Sequence, residues 1–436
     1  MRIGQGQIGA GLVVLGALAI AAATLTPVPG SMGGGTSRIC LICHDRGMAD
    51  FVSNIILFAP LGLGLALLGR RWYFALAVGA LYSLTVESLQ LDVIAGRDAN
   101  FGDLVANSLG AVTGWFFGVT RSWWRPTPDR ATTRAIGVTV AGSVLLLGAL
   151  VLLRPAPQEA TYYLQWTPAL GGGMHVYLGE VTETRIGPLH FDGPGKIAAS
   201  DSVRALLHRP DWAVTFRAGL PPRRIAPIVS IYDEEQDEVV VLAAAGHDLV
   251  YRQRLLANQL LFDGADLRMA GALQAVQPGR NVVLQYQQTL REQCLTLDGA
   301  RTCERGYTVG DTWSLLMFPD NWGFTERTVM AFAFLSGLFG LGGFLSPGAR
   351  TLAVQAALAV GVLLAGPPLL GYAPTPPVQL LAALTGLVAG WTIAQFTSGK
   401  DGGREPSGFA PSGAGPGRPR LKDVSSARSY TRSDGT

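Results

Sequence analysis

Apolar residues in this chain come in long unbroken runs, not in the short alternations of a soluble protein. Eight runs are long enough to cross a bilayer, which takes about 20 residues each. They fall near 8–26, 51–69, 72–91, 101–120, 134–153, 327–346, 351–370 and 377–396. The first follows Arg2 like a secretory leader, but its length and the membrane pattern after it predict a retained helix. Between the fifth and sixth runs the texture changes. DWAVTFRAG (211–219) places Trp212, Val214, Phe216 and Ala218 on one face, the period of a strand. APIVSIYDEEQDEVVVLAAAGHDLVYRQRL reads as three strands joined by turns, and NVVLQYQQTLREQCLTLDGARTC as two more with an Asp-Gly turn. DTWSLLMF (311–318) is a final candidate strand. Many short strands in this insert predict a β-sandwich.

The expected fold is therefore a multi-pass α-helical membrane protein of about eight transmembrane helices, carrying an inserted all-β sandwich. Its divisions are a four-helix membrane domain (1–133), a fifth helix (134–153), the sandwich (154–326), three C-terminal helices (327–396) and a disordered tail (397–436) rich in Gly, Ser, Pro and Arg. The last three helices, with few polar residues (Gln355, Gln379, Thr385, Gln395), read as scaffold for the sandwich.

Charge sets the orientation. Charged residues make up 15% of the chain, against about a quarter in soluble domains, so little of it is built for water. Arg70, Arg71, Arg121, Arg125, Arg130, Arg134, Arg350 and the basic tail all fall on one side if both termini are cytoplasmic. Loops 27–50 and 92–100 and the insert then lie outside. No basic, aromatic-interleaved patch points to nucleic acid.

The candidate chemistry is concentrated between Glu87 and Gly118. Glu87 and Gln90 lie one turn apart near the end of the third helix, and Arg97 and Asp98 occupy the following loop. Asp103, Asn107, Gly110, Gly114 and Gly118 share one stripe of the fourth helix. Asp50 and Asn54 open the second. In the expected topology all these polar groups lie at one depth, near the outer leaflet. Ionisable groups in a membrane face partners or a cavity, and small residues admit a neighbouring helix. One reading is a pocket for a lipid or envelope-precursor headgroup: Arg97 pairs with phosphate or carboxylate, Glu87 and Asp103 share a proton, and Gln90 and Asn107 orient the ligand. The other is a structural network in which Arg97 meets Asp98 or Asp103 and Glu87 meets Gln90 or Asn54. No nucleophile–base pair marks a catalytic residue.

The run E-x2-Q-x6-R-x5-D-x3-N-x2-GA-x2-G, from Glu87 to Gly114, together with ADFVSNIILFAPLGLGLAL upstream, resembles the VanZ-like membrane proteins over residues 8–120. Where many relatives carry a His in the upstream helix, this chain has Asn54. The resemblance implies a bacterial inner-membrane protein of the cell envelope, associated with altered susceptibility to teicoplanin-type glycopeptides. The segments LHFDGPGKI, WAVTFRAG, CLTLDGAR and WSLLMF resemble a concanavalin A-like or laminin-G-like jelly roll. The expected partners are membrane lipids and a cell-wall glycan or lipid-linked precursor. The alternative function is a membrane-anchored display of a sugar- or protein-binding sandwich; an intramembrane enzyme on lipid-linked substrates is a third.

Cys40-Leu41-Ile42-Cys43-His44 has the spacing of covalent haem attachment, but nothing supplies a second axial ligand or an apolar pocket. A disulfide at Cys40 and Cys43 is the expectation, with no cofactor and no metal. Cys294 and Cys303 flank the Asp-Gly turn, within reach of a cross-strand disulfide. The acidic run at Asp233, Glu234, Glu235, Asp237 and Glu238 reads as a solvated hairpin tip, and His175, His190, His208 and His247 show no metal-ligand spacing.

Overall fold

A computed structural model describes residues 5–25, 40–42, 45–92, 101–120, 128–170, 173–317 and 322–398. Arg97, Asp98, Cys43, His44 and the tail beyond 398 lie outside the described residues. Among the described residues there are eight long helices: α1 (Gln5–Thr24), α2 (Gly47–Leu67), α3 (Trp72–Asp92), α4 (Phe101–Val119), α5 (Pro128–Val151), α6 (Phe324–Phe344), α7 (Ala349–Leu369) and α8 (Pro377–Ser398). Seven of them are long and apolar enough to cross a membrane; α4 is the exception. Its shortfall comes from Asp103, Asn107, Ser108 and the glycine stripe, the residues that fit it to its neighbours. Large apolar side chains such as Leu15, Leu81, Leu145 and Leu341 point outward, while Gly and Ala fill the helix contacts. That is the arrangement expected where the surroundings are lipid.

Between α5 and α6 stand two antiparallel sheets. The first contains β1 (Tyr163–Trp166), β4 (Gly195–Lys196), β6 (Ala226–Tyr232), β7 (Glu238–Ala245), β8 (Asp248–Gln253) and β9 (Asp266–Met269), in the order β4-β1-β6-β7-β8-β9. The second contains β2 (Glu180–Ile186), β3 (Leu189–Phe191), β5 (Asp211–Arg217), β10 (Asn281–Gln288), β11 (Glu292–Leu297) and β12 (Ala300–Arg305), in the order β12-β11-β10-β5-β2-β3. Trp212, Val214 and Phe216 of β5 and Val282, Leu284 and Tyr286 of β10 are buried. Tyr286 meets Tyr251 of β8 at 4.6 Å between rings, which joins the two sheets through a common core. β6 is buried along its whole length, and beside it Met174 packs on a second small cluster at Ile225, Val241, Ala243 and Val250. The β11–β12 hairpin turns on Asp298 and Gly299, both at positive φ, and Cys294 is disulfide-bonded to Cys303 directly across it.

Two expectations are corrected here. The apolar run at 311–318 is not a strand: Val309–Leu315 is a 3₁₀ helix. Asp311 Oδ2 accepts from Thr308 N at 2.7 Å and from its hydroxyl at 2.8 Å, a capping interaction that starts a helical turn. Because the run is buried on nearly every side, its periodicity could not separate helix from strand. The acidic tip is not wholly solvated either. Glu234 and Glu235 are exposed, but Asp233 is buried, accepts from Asp237 N and pairs with Arg254 at 3.0 Å.

The sandwich sits directly on the helix ends. Leu256 N and Ala257 N donate to the carbonyls of Arg154 and Leu152, and Arg154 Nη2 donates to Leu370 O. Gln379 of α8 accepts from Gly310 N and donates to Thr308 Oγ1. Ser53 of α2 donates to Leu316 O.

Candidate functional site

Four helices bring the polar residues to one level, at the ends facing the sandwich. The tight seam between α2 and α4 sets their depth. A Cβ on Gly114 would overlap the Ala59 carbonyl, one on Gly110 would press on Ile55 O, and one on Gly118 would meet Ala66 Cβ. From the other side, Gly62 leaves no room before Ala111 O. With the backbones this close, short side chains one or two turns nearer the sandwich reach across.

Three hydrogen bonds then link the helices in series. Asn54 Nδ2 of α2 donates to Asp103 Oδ1 of α4 at 2.7 Å. Asn107 Nδ2 of α4 donates to Ser83 Oγ of α3 at 2.9 Å. Gln90 Nε2 of α3 donates to Thr24 O at the end of α1, also at 2.9 Å. Ser83, Gln90, Asn107 and Glu87 are buried, Asn54 and Asp103 half-buried, and Asp50 exposed. Glu87, Asp50 and Asp103 each have further interactions of their own. The Asn107 Oδ1 atom is buried and has no hydrogen-bond partner among the described residues. Ser83 escaped the sequence reading: a Ser in an apolar helix has no signal until its neighbour is known.

The loop before α2 lies against the same level. Gly102 N at the start of α4 donates to Cys40 O at 3.1 Å, and Gly102 has no Cβ to collide with Leu41 O. Cys40 is disulfide-bonded. Met48 N and Ala49 N, in the first turn of α2, donate to Leu261 O of the sandwich. A cleft of about 360 Å³ opens beside this contact, lined by Asp45, Arg46, Arg252, Arg254 and Asp263 among others.

Arg46 and Asp263 pair at 3.1 Å across the cleft. Burial pushes the Asp263 carboxyl up to about 6, against the pull of Arg46, and the nearby Asp50 charge acts in the same direction as burial. The folded chain thus holds this proton to a higher pH than the unfolded one. Its stabilising effect is fully present below the ordinary carboxyl range and is lost as pH rises through about 6. Stability of the wild type is expected to fall between pH 4 and pH 6, and Asp263→Asn is expected to flatten that slope. Thermal unfolding at stepped pH measures both; equal slopes would remove Asp263 as the cause.

Glu292 approaches the Cys294–Cys303 pair, but sulfurs joined in a disulfide are not thiolate ligands. His190 lies between Glu183 at 3.3 Å and Asp192 at 2.7 Å on an exposed edge.

Residues 17–122 match the model of the VanZ/LLP1 family. The match covers about a quarter of the 436 residues, from within α1 to just past α4, and defines a VanZ-like N-terminal helical region in a multi-pass membrane protein. No curated protein and no solved structure matches the chain.

Proposed function

We propose that the VanZ-like helices bind the headgroup of a lipid or a lipid-linked glycan precursor at the level of Asp103 and Asn107. The observation that carries this reading is the Asn107 amide. One end is spent on Ser83, and the buried carbonyl end has no protein donor among the described residues. A buried acceptor without a donor costs free energy unless a ligand or water supplies one. A headgroup hydroxyl, amide or ammonium would satisfy it, with Asp103 and Gln90 alongside. In this reading α4 crosses the bilayer beside α2, both termini are cytoplasmic, and the site and the sandwich face outside, as the Arg and Lys distribution supports. Asp50, Asn54 and Glu87 are proposed as further ligand contacts, and Arg97 and Asp98 are assigned to the ligand from the sequence alone. Occupancy of an envelope precursor would be the link to teicoplanin-type susceptibility. The sandwich would be a concanavalin A-like jelly roll presenting a sugar- or protein-binding face.

The test is native mass spectrometry of the full-length protein, gently extracted, beside Asp103→Asn. The wild type is expected to carry a lipid or precursor whose occupancy drops about tenfold in the variant, the equivalent of one charge-assisted hydrogen bond. If both fly with the same bulk phospholipid and nothing else, the polar set is a structural tie between helices.

A further inference from the structure

A second cleft, of about 790 Å³, is lined by no residue of α1–α4. Its upper walls come from β9 and β12, each the edge strand of its sheet, and its base from the sandwich-side ends of α6 and α8. The walls carry both signs of charge. Asp266 has a fully buried side chain; Arg327 of α6 donates to its Oδ1, while Oδ2 has no hydrogen-bond partner among the described residues. Arg268, with its side chain 8% exposed, stands beside it on β9. Arg291, Glu304 and Arg305 close the far wall and are exposed. The base is apolar: Phe324 and Val378, 61% and 45% exposed, open sideways at the first turns of α6 and α8, next to Phe332.

We propose that this cleft holds the zwitterionic headgroup of a membrane aminophospholipid, its ammonium toward Asp266 and Glu304, its phosphate toward Arg291 and Arg305, and its chains along Phe324, Phe332 and Val378. Three observations select this chemistry. The buried Asp266 oxygen needs a hydrogen-bond donor, which an ammonium supplies and a bare anion does not. A bare cation is disfavoured by Arg268 and Arg327 in the same wall. The depth is that of headgroups, because α6 and α8, both candidate spans, begin at this level. A water-soluble ligand would have no use for aromatic and aliphatic side chains on a helix end that faces lipid. This site is independent of the one at Asp103 and stands or falls separately.

Purified full-length protein is exchanged into detergent with equal amounts of phosphatidylethanolamine, phosphatidylglycerol and phosphatidylcholine, and retained lipid is read by native mass spectrometry. Phosphatidylethanolamine is expected to be retained about tenfold over the other two, a preference of one charge-assisted contact. Glu304→Gln, at an exposed position, is expected to abolish that preference; Arg291→Gln/Arg305→Gln, also exposed, is expected to lower retention of all three lipids about tenfold, because each carries the phosphate, while Asp103→Asn changes neither. Equal retention of the three lipids by the wild type, a Glu304→Gln variant that keeps the preference, or a double Arg variant that retains as much lipid as the wild type overturns the proposal. Displacement of the lipid by free glycerophosphoethanolamine at equal concentration would overturn the membrane source and leave only a soluble phosphoamine.

Discussion

Gly114→Leu is expected to destabilise the VanZ-like helices by about 3 kcal/mol, at the upper end of the cost of forcing atoms into a packed contact. A single Cβ at this position already overlaps the Ala59 carbonyl, which is backbone and cannot turn away. Relief requires α2 and α4 to separate, and separation breaks the Asn54–Asp103 bond nearer the sandwich. The substitution should therefore lower the unfolding temperature in detergent and remove any ligand held at Asp103. Gly137→Ala on α5 is the control. Nothing lies within 4 Å of a Cβ there, so the change should stabilise the helix by about 0.5–1 kcal/mol through lost chain entropy. If both variants melt with the wild type, α2 and α4 are not packed backbone to backbone.

Arg327→Leu should produce the other large loss. It strands the Asp266 carboxylate, whose side chain is fully buried, without the guanidinium that neutralises it. Breaking one side of a buried pair typically costs about 3–5 kcal/mol, more than the pair contributes when intact. Arg327→Leu combined with Asp266→Leu should recover most of the loss, because the uncompensated charge goes with it. A double-mutant cycle on thermal or denaturant unfolding measures the coupling. Additive losses would mean that Asp266 finds another cation once Arg327 is gone.

What could be read from the chain followed the strength of local periodicity. β10, with alternate residues buried along its whole length, and the long apolar helices were legible because one local pattern fixes one structure. The 3₁₀ helix at Val309–Leu315 was misread because a run buried on nearly all sides has no period. The polar stripe of α4 was visible in its spacing; its partners were not. That Asn107 meets Ser83, and that Gln90 meets a backbone carbonyl of α1, depends on how the helices rotate against one another. The large cleft was out of reach for the same reason: Asp266, Glu304, Phe324 and Val378 come from four separate elements and Arg291 from the turn before β11.

The join between α5 and the sandwich limits reach. Arg154 follows α5 by three residues and is already tied to Leu256 and Leu370, so the domain has no stalk on which to swing. Its longest strands have eight residues, about 27 Å end to end. If the domain binds a ligand as proposed, that ligand would be held within roughly that height of the helix ends. A polymer passing farther out would go untouched, whereas a molecule still rooted in the membrane would be met at both ends, by the helices below and the sheets above.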